Sequence, residues 1–175
     1  MTRERTRPDE SGKPGYITAE GYRRLEEEAE RLWSEDRPRM AKAVQVAAAE
    51  GDRSENAEYI YSKKKLAEID RRLRFLGKRL DVLEIVGRAP SEDGKVYFAS
   101  WVVLEAEDES ERTYRIVGAD ETHVDPRYIS MDSPFAKALI GREEGDEVLI
   151  RRPRGDDYFT IVEVANQPPA VDESS

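Results

Sequence analysis

The chain has 175 residues, with 29 Lys and Arg against 38 Asp and Glu, a net charge of −9, one His and no Cys. Without Cys there are no disulfides, thiolate nucleophiles or Cys-based metal centres, and the single His123 leaves no basis for a His-rich site or a self-contained Ser/His pair. The acidic total excludes a surface that grips a nucleic-acid backbone everywhere, and the 38% charge, against roughly 25% in ordinary domains, points to an elongated and heavily solvated part.

Residues 1–15 are polar and rich in Pro and Gly, as is the tail from Pro168, and both are expected to be disordered. The opening residues offer no apolar core for a signal peptide, and no run of 18 apolar residues occurs, so a soluble cytoplasmic protein with no membrane partner is expected. From Thr18 to about Ile85 the composition is helical, dense in Glu, Arg, Lys, Leu and Ala. Thr18 is a good N-cap with Glu20 in the first turn. Apolar residues recur at Tyr22, Leu25, Ala29 and Leu32, and in the same phase at Ala43 and Val46. A second series runs through Tyr59, Leu66, Ile69, Leu73, Leu76, Leu80 and Leu83.

The two series define an antiparallel helical hairpin. Pairing Tyr22 with Leu83, Leu25 with Leu80, Ala29 with Leu76, Leu32 with Leu73 and Val46 with Tyr59 centres every pair on the junction of Asp52 and Arg53, beside Gly51. Glycine is a natural helix end. Each arm of about 32 residues spans about 48 Å, so the expected object is a finger with Gly51–Ser54 at its tip. Its seam closes on itself, so a monomer is expected. Pro38 removes a backbone donor in mid-arm, where Asp36 and Arg39 are charged, and predicts a kinked first arm with a polar middle rather than two separate helices.

Gly87, Pro90 and Gly94 mark a change of texture. Strands are predicted at 96–98, 101–104, 113–117, 148–150 and 159–162, with one short helix that has Ser133 as N-cap, Pro134 first and Gly141 as its stop. The fold class is therefore α+β. The organisation expected is a coiled-coil hairpin over 16–88, a small antiparallel β-sheet domain with one short helix over 89–167, and tails at 1–15 and 168–175.

Two clusters carry possible chemistry. At the tip, Asp52 and Glu55 have the spacing of a capping box. Glu50, Asp52, Glu55 and Glu58 nevertheless crowd four carboxylates around Arg53, more than a cap requires, and Glu50 falls at the unfavourable end of the first helix. Paired carboxylates on a projecting tip are half of a Mg²⁺ site whose other ligands come from water, phosphate or another protein. On the second arm, Lys63, Lys64, Lys65, Arg71, Arg72, Arg74, Lys78 and Arg79 oppose only Glu68 and Asp70. That run is either a solvated flank or a local phosphate-contacting stripe.

The segments GDRSENAEY, YSKKKLAEIDRRLRFLGKRL, YRIVG and DSPFAKALIGREEGDEV resemble the bacterial transcript cleavage factors of the Gre family, and the RLWSEDRP segment and basic stripe lie nearer its GreB branch. The resemblance runs from about Gly15 to Val164. It implies an FKBP-like globular domain that docks on RNA polymerase, with Asp132, Ser133 and Pro134 as contacts, and a finger that enters the secondary channel. It implies that Asp52 and Glu55 are donated to the polymerase active site. There they would hold a shared Mg²⁺ for cleavage of backtracked RNA, with Glu50 and Glu58 tuning the charge and Arg53, Ser54 and Asn56 positioning it. The stripe would guide the RNA 3′ end, and the factor alone would be no enzyme. The alternative reading is a secondary-channel-blocking transcription inhibitor without cleavage activity, which an altered tip would favour; a third is a plain coiled-coil adaptor, which would not need the tip acids.

Overall fold

A computed structural model describes residues 10–52, 55–87 and 93–170. Arg53 and Ser54 at the tip, the expected domain junction at 88/89, and the expected disorder at 1–9 and 171–175 lie outside the described residues. The chain divides into two units. One holds the described part of Met1–Pro14 with Tyr22–Leu83; the other holds Gly15–Gly21 and the chain from Glu84 onward.

The helical unit is the hairpin. Helix α1 (Ala19–Arg31) passes through a π-helical segment, Leu32–Asp36, into α2 (Arg37–Ala49), and α3 (Ala57–Val82) returns. The cap at Thr18 forms as expected, its Oγ1 accepting from Gly21 N at 3.1 Å. Pro38 produces no break. Arg31, Asp36 and Arg37 all keep right-handed helical dihedrals, and Arg37 N–H donates to Leu32 O, five residues back. The wider turn just ahead of Pro38 is the form in which the helix absorbs a residue with no N–H and a ring that crowds the preceding turn.

The π segment has a consequence for the seam. An extra residue in one turn advances the helical phase by about 100°, so the expected apolar phase does not survive the proline. Val46 is 51% exposed, whereas Ala47 is 3% exposed and takes its place. The arms run antiparallel: Tyr22 Oη donates to Leu80 O at 3.2 Å, three residues from its expected partner Leu83, and Leu25 and Leu76 are buried. The polar middle is cross-linked by Arg37 to Asp70 at 2.8 Å and by Arg72 to both oxygens of Glu28 at 2.7 and 2.9 Å. These pairs are partly exposed and each contributes at most about 1 kcal/mol.

Residues 10–15 correct the expected tail. Ser11 is buried, and Arg79, 7% exposed, donates to the carbonyls of Lys13 and Glu10. Gly15–Ile17 forms β1, which pairs with β2 (Leu83–Ile85), and Val86 N–H donates to Ile17 O at 2.9 Å. Helix α3 thus ends at Val82, because the chain at Leu83 turns extended to pair with β1.

In the second unit a five-stranded sheet has the order β5-β4-β3-β7-β6, from β3 (Trp101–Ala106), β4 (Glu111–Val117), β5 (Tyr128–Ser130), β6 (Glu147–Arg152) and β7 (Gly155–Ala165). The sheet is mixed rather than antiparallel, since β5 runs parallel to β4, with Arg115 opposite Tyr128. Helix α4 (Pro134–Leu139) begins at its Ser133 cap as predicted, and Ala136 and Leu139 enter the core with Leu104, Ile116, Phe159 and Ile161. The strand expected at 96–98 does not form. Val96 instead exchanges backbone hydrogen bonds with Gly141 and Arg142, and the chain turns at Ala99, whose φ is 70°. Asp125 accepts from the Arg127 side chain and backbone N–H, which holds its carboxyl well below the usual range, at about 2.

One buried group organises this unit. Glu121, 2% exposed, accepts from Thr18 N at 3.1 Å, from Gly118 N at 2.9 Å and from Thr18 Oγ1 in a short hydrogen bond. The same hydroxyl accepts from Gly21 N, so the carboxylate and the first turn of α1 are joined through Thr18.

Candidate functional site at the hairpin tip

The reversal is built by caps at both helix ends. Helix α2 finishes at Glu50, whose N–H returns to Ala47 O at 3.2 Å, and α3 starts at Asn56, whose Oδ1 accepts from Tyr59 N at 3.1 Å. Asn56 also donates through Nδ2 to Ala47 O at 2.8 Å. One amide therefore caps α3 and fastens it to the last turn of α2. The predicted capping box of Asp52 and Glu55 is not the helix start, because Asn56 occupies that place three residues before Tyr59. Asp52 and Glu55 instead lie on the connecting loop, both exposed, with Glu55 N–H donating to Asp52 O at 3.3 Å.

The two outer acids sit at opposite helix ends. Glu58 is in the first turn of α3, where the helix dipole favours a negative charge, and Glu50 caps the end of α2, where it does not. Both are exposed. Asn56→Ala removes the cap and the inter-helix hydrogen bond together. The expected cost is about 2 kcal/mol, read as faster amide exchange in the first turns of α3 with the sheet unit's amides unchanged.

The eight cations of the second arm divide by role. Arg72 is committed to Glu28, Lys65 lies 3.2 Å from Glu68, and Arg79 is buried on the segment at 10–13. Lys63, Lys64, Arg71, Arg74 and Lys78 are exposed. At about 100° per residue these five fall within an arc of about 100° on α3 and span about 22 Å along its axis, with no acid inside the arc between Lys63 and Lys78. In the other unit Ser133 Oγ accepts from Ala136 N at 3.1 Å and donates to Ser130 O at 2.7 Å, which leaves Asp132 and Pro134 exposed beside it. His123 is an exposed loop residue.

Reasoning from local spacing misses Glu121, because its partner Thr18 lies 103 residues away. Tyr61, exposed beside Lys63, Lys64 and Lys65, likewise lies outside the apolar series.

Both parts of the chain match known protein domains. The N-terminal domain model of the GreA/GreB transcription elongation factors matches residues 15–85, and the C-terminal domain model matches residues 90–166. Transcription elongation factor GreB of Yersinia pestis is 52% identical over 156 residues, 89% of this chain and 91% of that protein. Its counterpart in Pseudomonas aeruginosa is 51% identical over 95% of this chain and 98% of that protein. A solved structure of the transcription factor Gfh1 is 26% identical, covers 87% of this chain and 98% of that one, and superposes with a TM-score of 0.43. With both domain models matched in order and half of the residues shared with full-length relatives, the chain belongs to the GreA/GreB family of transcription elongation factors.

Proposed function

We propose that this elongation factor binds RNA polymerase, inserts its helical hairpin into the secondary channel, and stimulates Mg²⁺-dependent endonucleolytic cleavage of backtracked RNA so that arrested complexes restart. The observation that carries this is the pair Asp52 and Glu55, exposed on a loop whose adjoining helix is capped by another residue. The N-cap of α3 is Asn56, and both acids lie on the loop before it.

The donor set fits the metal only as a shared ligand set. Carboxylate oxygens suit Mg²⁺, but among the described residues no three acidic or His side chains converge on one point. Asp52 and Glu55 would hold the ion together with ligands from the polymerase, so the isolated factor is expected to leave RNA intact. The ion, when bound, supplies charge neutralisation at the scissile phosphate and a more acidic attacking water. The chain's own part is positional: Asn56 fixes the loop against α2, and the loop presents the two acids. Asp132, Ser133 and Pro134 would contact the polymerase.

The exposed face of Lys63, Lys64, Arg71, Arg74 and Lys78 would attract the extruded RNA 3′ end. Reversal of Lys64, Arg71 and Arg74 to Glu is expected to weaken cleavage of deeply backtracked complexes by about tenfold or more, with a shallower salt dependence, while polymerase binding persists. These three are the informative choices, since reversing Arg72 would also place a like charge against Glu28. The assay that tests the whole proposal is RNA 3′-end cleavage in a reconstituted backtracked complex with Mg²⁺. A factor that binds polymerase and slows nucleotide addition without cleavage would instead be a channel blocker.

A further inference from the structure

Beside the reversal, a cleft of about 670 Å³ opens between α2 and α3, within the range of small-ligand sites. Its walls include Val46 and Tyr61, which are 51% and 59% exposed. Val46 is out of the seam because the π turn at Leu32–Asp36 has rotated α2, so the helical irregularity upstream is what gives the cleft its apolar wall. Charge is distributed unevenly along it. Lys42 and Arg39, the latter 2.9 Å from Asp36 and largely exposed, line the end away from the tip, and Glu50 and Glu58 the end beside it. Lys65 Nζ stands 5.8 Å from the centre of the Tyr61 ring.

We propose that this cleft takes one nucleobase of the single-stranded RNA extruded from the polymerase, stacked on Tyr61, with the adjoining phosphate held by Arg39 and Lys42. The inference rests on the proposed cleavage function and assigns to the chain an RNA contact separate from the stripe of α3. An exposed aromatic face beside cations is the arrangement that binds single strands without reading sequence, because every base has a π face and every nucleotide a phosphate. Glu50 and Glu58 exclude phosphates from the other end and so orient the strand.

The test uses the full chain in reconstituted backtracked complexes, with Tyr61→Ala, Tyr61→Leu and Tyr61→Phe. The factor concentration for half-maximal cleavage is expected to rise about tenfold for Ala and Leu and to stay near wild type for Phe, which keeps the ring. An RNA scan with an abasic nucleotide at each extruded position is expected to find one at which wild type and Tyr61→Ala become equal. Wild-type behaviour of Tyr61→Leu, no such position in the scan, or an equal loss of affinity for polymerase lacking RNA would overturn the inference, the last by showing that the cleft meets protein. Active wild type with unaffected Tyr61→Ala rejects this contact alone; inactive wild type rejects the cleavage function with it.

Discussion

Replacing Asp52 and Glu55 with Ala is expected to abolish stimulated RNA cleavage and leave polymerase binding intact. The size of the effect follows from what the acids would do. Charge stabilisation by a catalytic ion contributes several kcal/mol to a transition state, so loss of its donated ligands should slow stimulated cleavage by about 100-fold or more, down to the polymerase's own rate. The structure separates this from a folding defect. Because α3 is capped by Asn56 and fastened to Ala47, the double variant should retain the helical far-UV signal and melting behaviour of wild type. Asp52→Asn and Glu55→Gln keep size and polarity but remove the charge, and should fail almost as completely. A double variant that still stimulates cleavage would show that the tip acts by occupying space, the outcome expected of a plain coiled-coil adaptor or a wedge.

The largest stability effects are expected at Glu121 and Gly118, far in sequence from the tip. Glu121→Leu leaves the backbone donors of Thr18 and Gly118 buried without a partner, and the Thr18 hydroxyl loses its acceptor. At about 1–3 kcal/mol for each stranded group, a loss of roughly 3–5 kcal/mol is expected. Glu121→Gln can keep an oxygen on the two N–H groups and turn its amide to the hydroxyl, so about 1 kcal/mol is expected there. Gly118 is required for space rather than for backbone freedom. Its φ of −70° suits any residue, but a Cβ would stand 2.0 Å from the Tyr16 carbonyl oxygen, which is backbone and cannot swing aside. Gly118→Ala should therefore cost about 3 kcal/mol. Near-UV circular dichroism reads these variants selectively, since Trp101 is 4% exposed in the sheet unit while Trp33 is 65% exposed on the hairpin. If Glu121→Leu melts like wild type, the carboxylate is a passive neighbour of Thr18 and Gly118.

Much of the hairpin was legible because it is made of local, periodic signals. The apolar spacing of threes and fours located both helices, Gly51 located the reversal, and Thr18 and Ser133 capped the helices they were expected to cap. Strands β3, β4, β6 and β7 were visible as β-branched and aromatic runs between turn residues. Strand β5 was not: three residues after Pro126 carry no periodicity, and their place comes from hydrogen bonds such as Arg115 N to Arg127 O and Met131 N to Val117 O. Likewise β1 and β2 exist because each supplies the other's partner. The basic run was read correctly as charge but not as roles, since only the packed hairpin commits Arg72 to Glu28 and buries Arg79.

At the site the same division holds. The family, the hairpin and the identity of the acids at its turn are legible in the amino-acid order, because helix periodicity, glycine and charge spacing act over a few residues. Which residue caps α3, how Pro38 is absorbed and which side of α2 faces its partner emerge only when the helices pack. Each of those depends on a balance between elements: Asn56 wins the cap because it can also reach Ala47, and a π turn shifts the phase so that Ala47 enters the seam and Val46 leaves it. The place of the two acids on the connecting loop and the apolar cleft beside it are both products of that balance.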